Sequence, residues 1–172
     1  MKDTKDFSLH AEMNTVSALE GLYLATNTFN MIAGNDQKIT DQDFEDQFKV
    51  VVEEMKEFQE GHTNKDLVET TDGIVDSFVT LFGYMQKMQN RYGIDFAKAM
   101  DLIAENNLSK YPTEEQVAID TVQMYKDQGL ETYYTFYPES LCYVIRDSKT
   151  NKIKKPVGFK SVDLSVCFPK VH

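Results

Sequence analysis

Apolar residues recur at helical spacing through the first two-thirds of the chain and switch to strand-like runs near its end. Residues 14–33 carry Val16, Leu19, Leu22, Tyr23, Phe29 and Ile32, a helical stripe that Gly34-Asn35-Asp36 interrupts. Thr40 stands at the cap position of a second helix, with Asp43 three residues on as a weak capping box. Its stripe is Phe44, Phe48, Val51, Val52, Met55 and Phe58, and Gly61 is placed to end it. A third helix is expected from near Asn64 to Tyr92, with Leu67, Ile74, Phe78, Leu81, Phe82, Met85 and Met88 on one side and Gly93 as its stop. A fourth covers Asp95 to about Asn106, and Thr113 with Gln116 opens a fifth that ends before Gly129.

Thr132 to Tyr137 and Leu141 to Arg146 are rich in tyrosine, phenylalanine, valine and isoleucine and read as short strands. Asp147 to Asn151 then forms a hairpin turn, and Lys152-Ile153-Lys154 starts a further strand. The pattern predicts a mainly α protein: a helical bundle over residues 1–130 and a small C-terminal β-hairpin appendage with a basic extension over 131–172, both in one globular unit. Charge changes with the pattern. Residues 41–60 hold eight acids against two lysines, whereas from Asp147 onward six lysines face two aspartates.

The whole chain, 172 residues long, has 28 acidic and 18 basic residues, a formal net charge of −10. Phosphate repulsion makes such a chain a poor general binder of nucleic acid, and none is expected as a partner. No apolar run approaches the roughly 20 residues of a membrane span, so no membrane partner is expected either. Cys142 and Cys167 fit no metal spacing and are too few for a disulfide framework, which points to a reduced, cytoplasmic setting. His10, His62 and His172 are scattered, so any hydrolytic chemistry falls to carboxylates. A di-iron carboxylate bundle needs a Glu-x-x-His pair, and Gln59 stands three before His62.

Helical projection arranges those carboxylates. With Phe44 at zero, Glu54 lies near 280° and Glu57 near 220°, beside the apolar stripe, and Glu53 near 180°, away from it. With Leu67 at zero, Asp72 and Asp76 lie near 140° and 180°, at one edge of the third helix's stripe. Each pair sits three or four residues apart, as neighbours on a helix surface do. Like charges held close repel, a hard divalent cation relieves the repulsion, and oxygen donors suit magnesium or manganese. Taken by itself, an acidic helix edge reads first as a solvated face.

The order of several motifs adds a resemblance. Val52-Glu53-Glu54-Met55-Lys56-Glu57-Phe58 resembles the EExxE helix of the all-α nucleoside triphosphate pyrophosphohydrolases, the MazG-like group. Asp72-Gly73-Ile74-Val75-Asp76 with Phe78 to Gly83 resembles the second acidic helix of the phage-type branch. Arg91-Tyr92-Gly93-Ile94-Asp95, Asn107-Leu108-Ser109-Lys110, and the lysine-rich run from Lys152 through Gly158-Phe159 to Val162-Asp163-Leu164 are similar to its later signatures. The wider superfamily has ExxD on the second acidic helix; here Gly73 takes the first acidic position and Asp72 stands one residue earlier.

The resemblance implies hydrolysis of a nucleoside triphosphate or its deoxy form to monophosphate and pyrophosphate in bacterial or phage-infected cytoplasm. It implies magnesium, or manganese, on Glu54, Glu57, Asp72 and Asp76, with Glu57, or in competition Glu53, orienting the attacking water. Asn107, Lys110, Lys154 and Lys155 would contact the substrate's phosphates. A homodimer or homotetramer is expected. The alternative is a non-catalytic acidic helical module that binds a nucleotide or a partner protein, which the departure at Gly73 keeps open.

Overall fold

The computed structural model describes residues 4–35 and 38–169, with residues 4–11 as backbone only; Asp36 of the expected break and His172 lie outside the described residues. The chain is mainly helical, with helices α1 (Thr4–Ile32), α2 (Asp41–Asn64), α3 (Leu67–Tyr92), α4 (Phe96–Leu108) and α5 (Glu115–Asp127). Strands β1 (Thr132–Tyr137) and β2 (Cys142–Asp147) form an antiparallel hairpin, and a 3₁₀ turn covers Leu164–Cys167. Among the described residues no helix is long and apolar enough to cross a membrane. Contacts divide the chain into two units, one reaching from the N-terminal side to Ile94 and including Pro169, the other Asp95–Phe168.

The first unit is built on a tight α2–α3 hairpin. Thr40 caps α2 in a full capping box with Asp43, and Asp66 caps α3 by accepting from Val68 and Glu69. Gly93 ends α3 at φ 64°, a left-handed conformation that glycine adopts without steric cost. Gly61 does not end α2. The helix continues to Asn64, and Lys65 takes the left-handed cap at φ 57°. Gly61 is instead a packing position: a Cβ there would lie 2.6 Å from the backbone nitrogen of Thr70. Gly73 repeats the device from the other helix, its Cβ position 2.6 Å from the nitrogen and 2.7 Å from the Cα of Phe58. Gln47 closes the far end, donating to the carbonyl of Thr80 at 3.0 Å.

The buried line of α3 is therefore Gly73, Ser77, Thr80, Gly83 and Lys87. This differs from the apolar stripe expected to face the core. Leu67 is 79% exposed and Leu81 47%, and on α2 Phe48 is 54% exposed. Small residues let two backbones approach, so the seam selects them and turns the large apolar side chains outward. α1 joins α3 through an edge-on contact of Tyr23 with Phe82 and a hydrogen bond from Asn30 to Gln86.

The second unit centres on Ile145 and Thr121, both fully buried. The Thr121 hydroxyl donates to the Val117 carbonyl at 2.6 Å and accepts from the Val157 amide at 2.9 Å, fixing the C-terminal segment onto α5. β1 has the expected bounds. β2 begins one residue later than expected because Leu141 takes a left-handed turn conformation, φ 51°. α5 starts at Glu115 with no side-chain cap, so Thr113 and Gln116 do not cap it. Residues 152–154 add a single bridge, Ile153 to Arg146, and the sheet stays two-stranded.

Candidate functional site

The acidic residues of α2 and α3 stand beside one of the two closest backbone contacts of the hairpin, that of Gly73 with Phe58. Gly73 rests on Phe58, and the Ser77 hydroxyl, which donates to the Gly73 carbonyl at 2.6 Å, lies 3.5 Å from the Met55 sulfur. Glu54 and Glu57 flank Met55 on one helix, and Asp72 and Asp76 flank the same contact on the other. Glu54 and Asp76 are half-buried, while Glu53, Glu57 and Asp72 are exposed. Burial, then repulsion from Asp76, Glu57, Glu53 and Asp72, hold the Glu54 carboxyl above its ordinary range. Glu54 is thus the centre of the group, and every sequence-expected carboxylate contributes to its field.

Among the described residues none of these carboxylates makes an ion pair or a side-chain hydrogen bond. Nor are any three His, Cys, Asp or Glu side chains among them drawn together into a ready metal site. The donor set is nevertheless the one a hard cation takes: oxygen only, uncompensated, with two members half-buried. These residues fit magnesium in donor chemistry and in charge.

The packing also fixes what position 73 of α3 can hold. At position 73 the backbone of Phe58 occupies the space of any side chain. A carboxylate cannot stand there, and Asp72, one residue earlier, is exposed.

The second unit carries the basic residues. Asn107, Lys110 and Lys155 line one cavity of about 450 Å³ together with Tyr111 and Ile153. The Lys110 ammonium donates to the Asn107 side-chain carbonyl at 2.7 Å. Lys154 is held elsewhere. It pairs with Asp147 at 3.3 Å and lies 5.5 Å from the Tyr125 ring centre. Sequence reading did not single out a neighbouring cavity of about 470 Å³, lined by Tyr111, Tyr137, Cys142, Val144 and Arg146 among others. Its signal lay in β2, where Cys142, Val144 and Arg146 alternate onto one face. Compared with protein-family models, with curated proteins and with solved structures, the chain finds no match in any of the three.

Proposed function

We propose that this protein is a magnesium-dependent nucleoside triphosphate pyrophosphohydrolase, releasing monophosphate and pyrophosphate by water attack at the α-phosphorus. The observation that carries the reading is a half-buried Glu54 whose carboxyl is raised by burial and by repulsion from Asp76, Glu57 and Asp72, carried on two helices in backbone contact at Gly73. Glu54, Glu57, Asp72 and Asp76 would hold the metal, or manganese in its place. Bound there, the ion supplies positive charge to a polyphosphate that the acids alone would repel, and it lowers the pKa of a coordinated water. Glu57, exposed beside the cluster, orients the attacking water and accepts its proton, with Glu53 one turn back as the competing base. The ordered motif resemblance supports the choice of the α-phosphorus. The reading places the chain in the cytoplasm, in a bacterial or phage setting.

The assembly we propose is a homodimer or homotetramer. It is supported by the outward apolar side chains of the first unit, including Phe48, Ile74, Val75, Phe78 and Leu81, each at least 42% exposed. Single exposed apolar residues are ordinary, but a row of them on adjoining helices marks an association surface.

Phosphorus NMR after incubation with each NTP and dNTP, with and without magnesium, tests the reaction. Pyrophosphate with a monophosphate, dependent on magnesium and absent in Glu57→Gln, is the expected result. Orthophosphate with a diphosphate would move the attack to the γ-phosphorus. Absence of turnover with every nucleotide would favour a binding module that cleaves nothing.

A further inference from the structure

The two edges of the hairpin differ. On the outer edge of β2 the Tyr143 amide donates to the Pro112 carbonyl at 2.8 Å and the Asp147 amide to the Lys152 carbonyl at 2.9 Å. The Ile145 carbonyl accepts there from the Lys154 amide at 2.9 Å. These three residues therefore turn their backbone groups away from β1, and opposite them on β1 stand Phe136, Thr132 and Tyr134. Hydrogen bonding alternates along an antiparallel pair, so the amides and carbonyls of Thr132, Tyr134 and Phe136 point away from β2. The Ser148 amide, donating to the Glu131 carbonyl at 3.0 Å, follows the same alternation. Among the described residues the outward groups of Thr132, Tyr134 and Phe136 have no hydrogen-bond partner. The chain covers the outer edge of β2 and leaves that of β1 open.

That edge lacks the features that keep strands apart. Exposed edges are guarded by lysine, by proline or by a bulge. Thr132-Tyr133-Tyr134-Thr135-Phe136-Tyr137 has no charge and no proline, and it pairs with β2 residue for residue, without a bulge. The strand is also held in place before any partner arrives. The Tyr143 ring lies 5.7 Å from that of Tyr134 and 4.9 Å from that of Phe136, and the Tyr134 hydroxyl donates to Glu115 at 3.1 Å. Charge permits a like partner: residues 95–168 hold eleven acids against nine bases, a net −2 of the chain's −10. Two such units meet with little of the repulsion that the rest of the chain would bring.

We infer that β1 pairs antiparallel with β1 of a second copy about a two-fold axis at Tyr134, joining two hairpins into one four-stranded sheet. In this register the Tyr134 amide of each copy donates to the Tyr134 carbonyl of the other. The same exchange joins Thr132 to Phe136 of the second copy, on both sides of the axis. Every outward group of Thr132, Tyr134 and Phe136 in both copies is then satisfied. Moving the axis by two residues would leave open groups at both ends, so the strand's own length selects the register. The side chains alternate accordingly, and Tyr133 comes to lie opposite Thr135 of the second copy. This contact is separate from the outward apolar face of the first unit, and it does not rest on the hydrolase reading.

The test is hydrogen exchange of the full chain, read by mass spectrometry at the Thr132, Tyr134 and Phe136 amides, with light scattering alongside. It is run in Leu81→Glu, where a charge opposes association through the first unit. For a Kd of about 10 μM these amides exchange about fourfold more slowly at about 100 μM protein than at about 1 μM, and the mass approaches a dimer. Phe136→Pro deletes one outward donor and spares the bonds to β2, so it should abolish both effects. If either variant misfolds, NMR of an equal mixture of labelled and unlabelled unmutated protein decides: Tyr133 Hα must contact Thr135 Hα of the other copy. Exchange independent of concentration, or absence of that contact, would overturn the inference. So would species larger than a dimer in Leu81→Glu, which mark open-ended pairing. Slowing of the three amides only by an added extended valine-threonine peptide would give the edge to another chain and overturn self-pairing. An assembly unchanged by Leu81→Glu but dissociated by Phe136→Pro would refute the first-unit surface and support this one.

Discussion

Gly73 of α3 lies directly on the backbone of Phe58 of α2, so closely that a methyl group at position 73 would sit 2.6 Å from the Phe58 nitrogen. The contact brings two acidic helix segments into one electrostatic field and removes the space for a carboxylate at the position itself. Gly73→Ala must push the helices apart, and overpacking of this kind costs about 1–3 kcal/mol. The expected result is a lower urea midpoint. Gly21→Ala is the control with the opposite sign. Its Cβ position has nothing within 4 Å, and alanine in a helix interior is favoured by about 0.5–1 kcal/mol. If Gly73→Ala matches the original protein in midpoint, the close approach is wrong.

The two glycines also show how far the sequence could be read. Helical and strand spacing located the elements because burial on one side leaves a period in the chain. The cap expected at Thr40 formed as its chemistry directs and the one expected at Thr113 did not, while Asp66 and Asp95, not singled out in the sequence, cap α3 and α4. The seam was not legible. Gly73, Ser77, Thr80 and Gly83 carry little hydrophobicity, so a stripe drawn on apolar residues passes beside them. Gly61 misled for a related reason: a glycine near a helix end reads as a stop, and only the neighbouring helix reveals it as a contact. At the candidate site helix projection put Glu54 at the edge of the buried side, where it is half-buried, but put Asp72 nearer that side than Asp76, and the half-buried residue is Asp76 because the seam runs through Gly73, Ser77 and Thr80. The second unit's cavities depend on pairing residues 108–113 with β2, which no local period records.

Glu54 sets a prediction that couples stability to catalysis. Its folded-state carboxyl titrates above its ordinary value, so the folded protein holds that proton more tightly than the unfolded chain does. Stability from this group therefore falls as pH rises through the carboxylate range and into the raised folded value. Glu54→Gln removes the repulsion and should raise Tm at pH 7 in the absence of metal. Magnesium should raise Tm of the unmutated protein and have little effect on the variant. On the hydrolase reading turnover falls by at least about 100-fold, beyond the 10–100-fold typical of residues behind a metal ligand. A variant with lower Tm than the original would show that Glu54 is not held against like charges.

Asp147 predicts the reverse pH dependence in the second unit. Amide donation from Thr150, then from Lys149, with the Lys154 ammonium alongside, lowers its carboxyl from 3.8 to about 2. A depressed carboxylate contributes stability above its unfolded pKa and loses it as pH falls through the folded one. The contribution is therefore present above pH 3.8 and disappears as pH falls toward about 2. Asp147→Asn should lower the urea midpoint at pH 7 and flatten the acid limb. The hairpin register beside it, Thr132 against Asp147, gives a local readout in amide exchange. Identical acid limbs in the two proteins would remove Asp147 as the turn's anchor.

The outward apolar face of the first unit gives the last expectation. A helical unit whose seam is glycine, serine and threonine buries little apolar surface between its own helices. The side chains that would supply hydrophobic stabilisation, Phe48, Phe78 and Leu81 among them, remain half in water. Covering each large apolar side chain is worth about 1.5–3 kcal/mol, which a second copy of the same face can supply. Light scattering at micromolar concentration should therefore give a dimer or tetramer mass. Leu81→Glu places a charge in that face, away from the carboxylate cluster and from the glycine contacts. The variant should run as a smaller species with a concentration-dependent Tm. A monomer mass for the unmutated protein, or an unchanged assembly in Leu81→Glu, would refute this association surface.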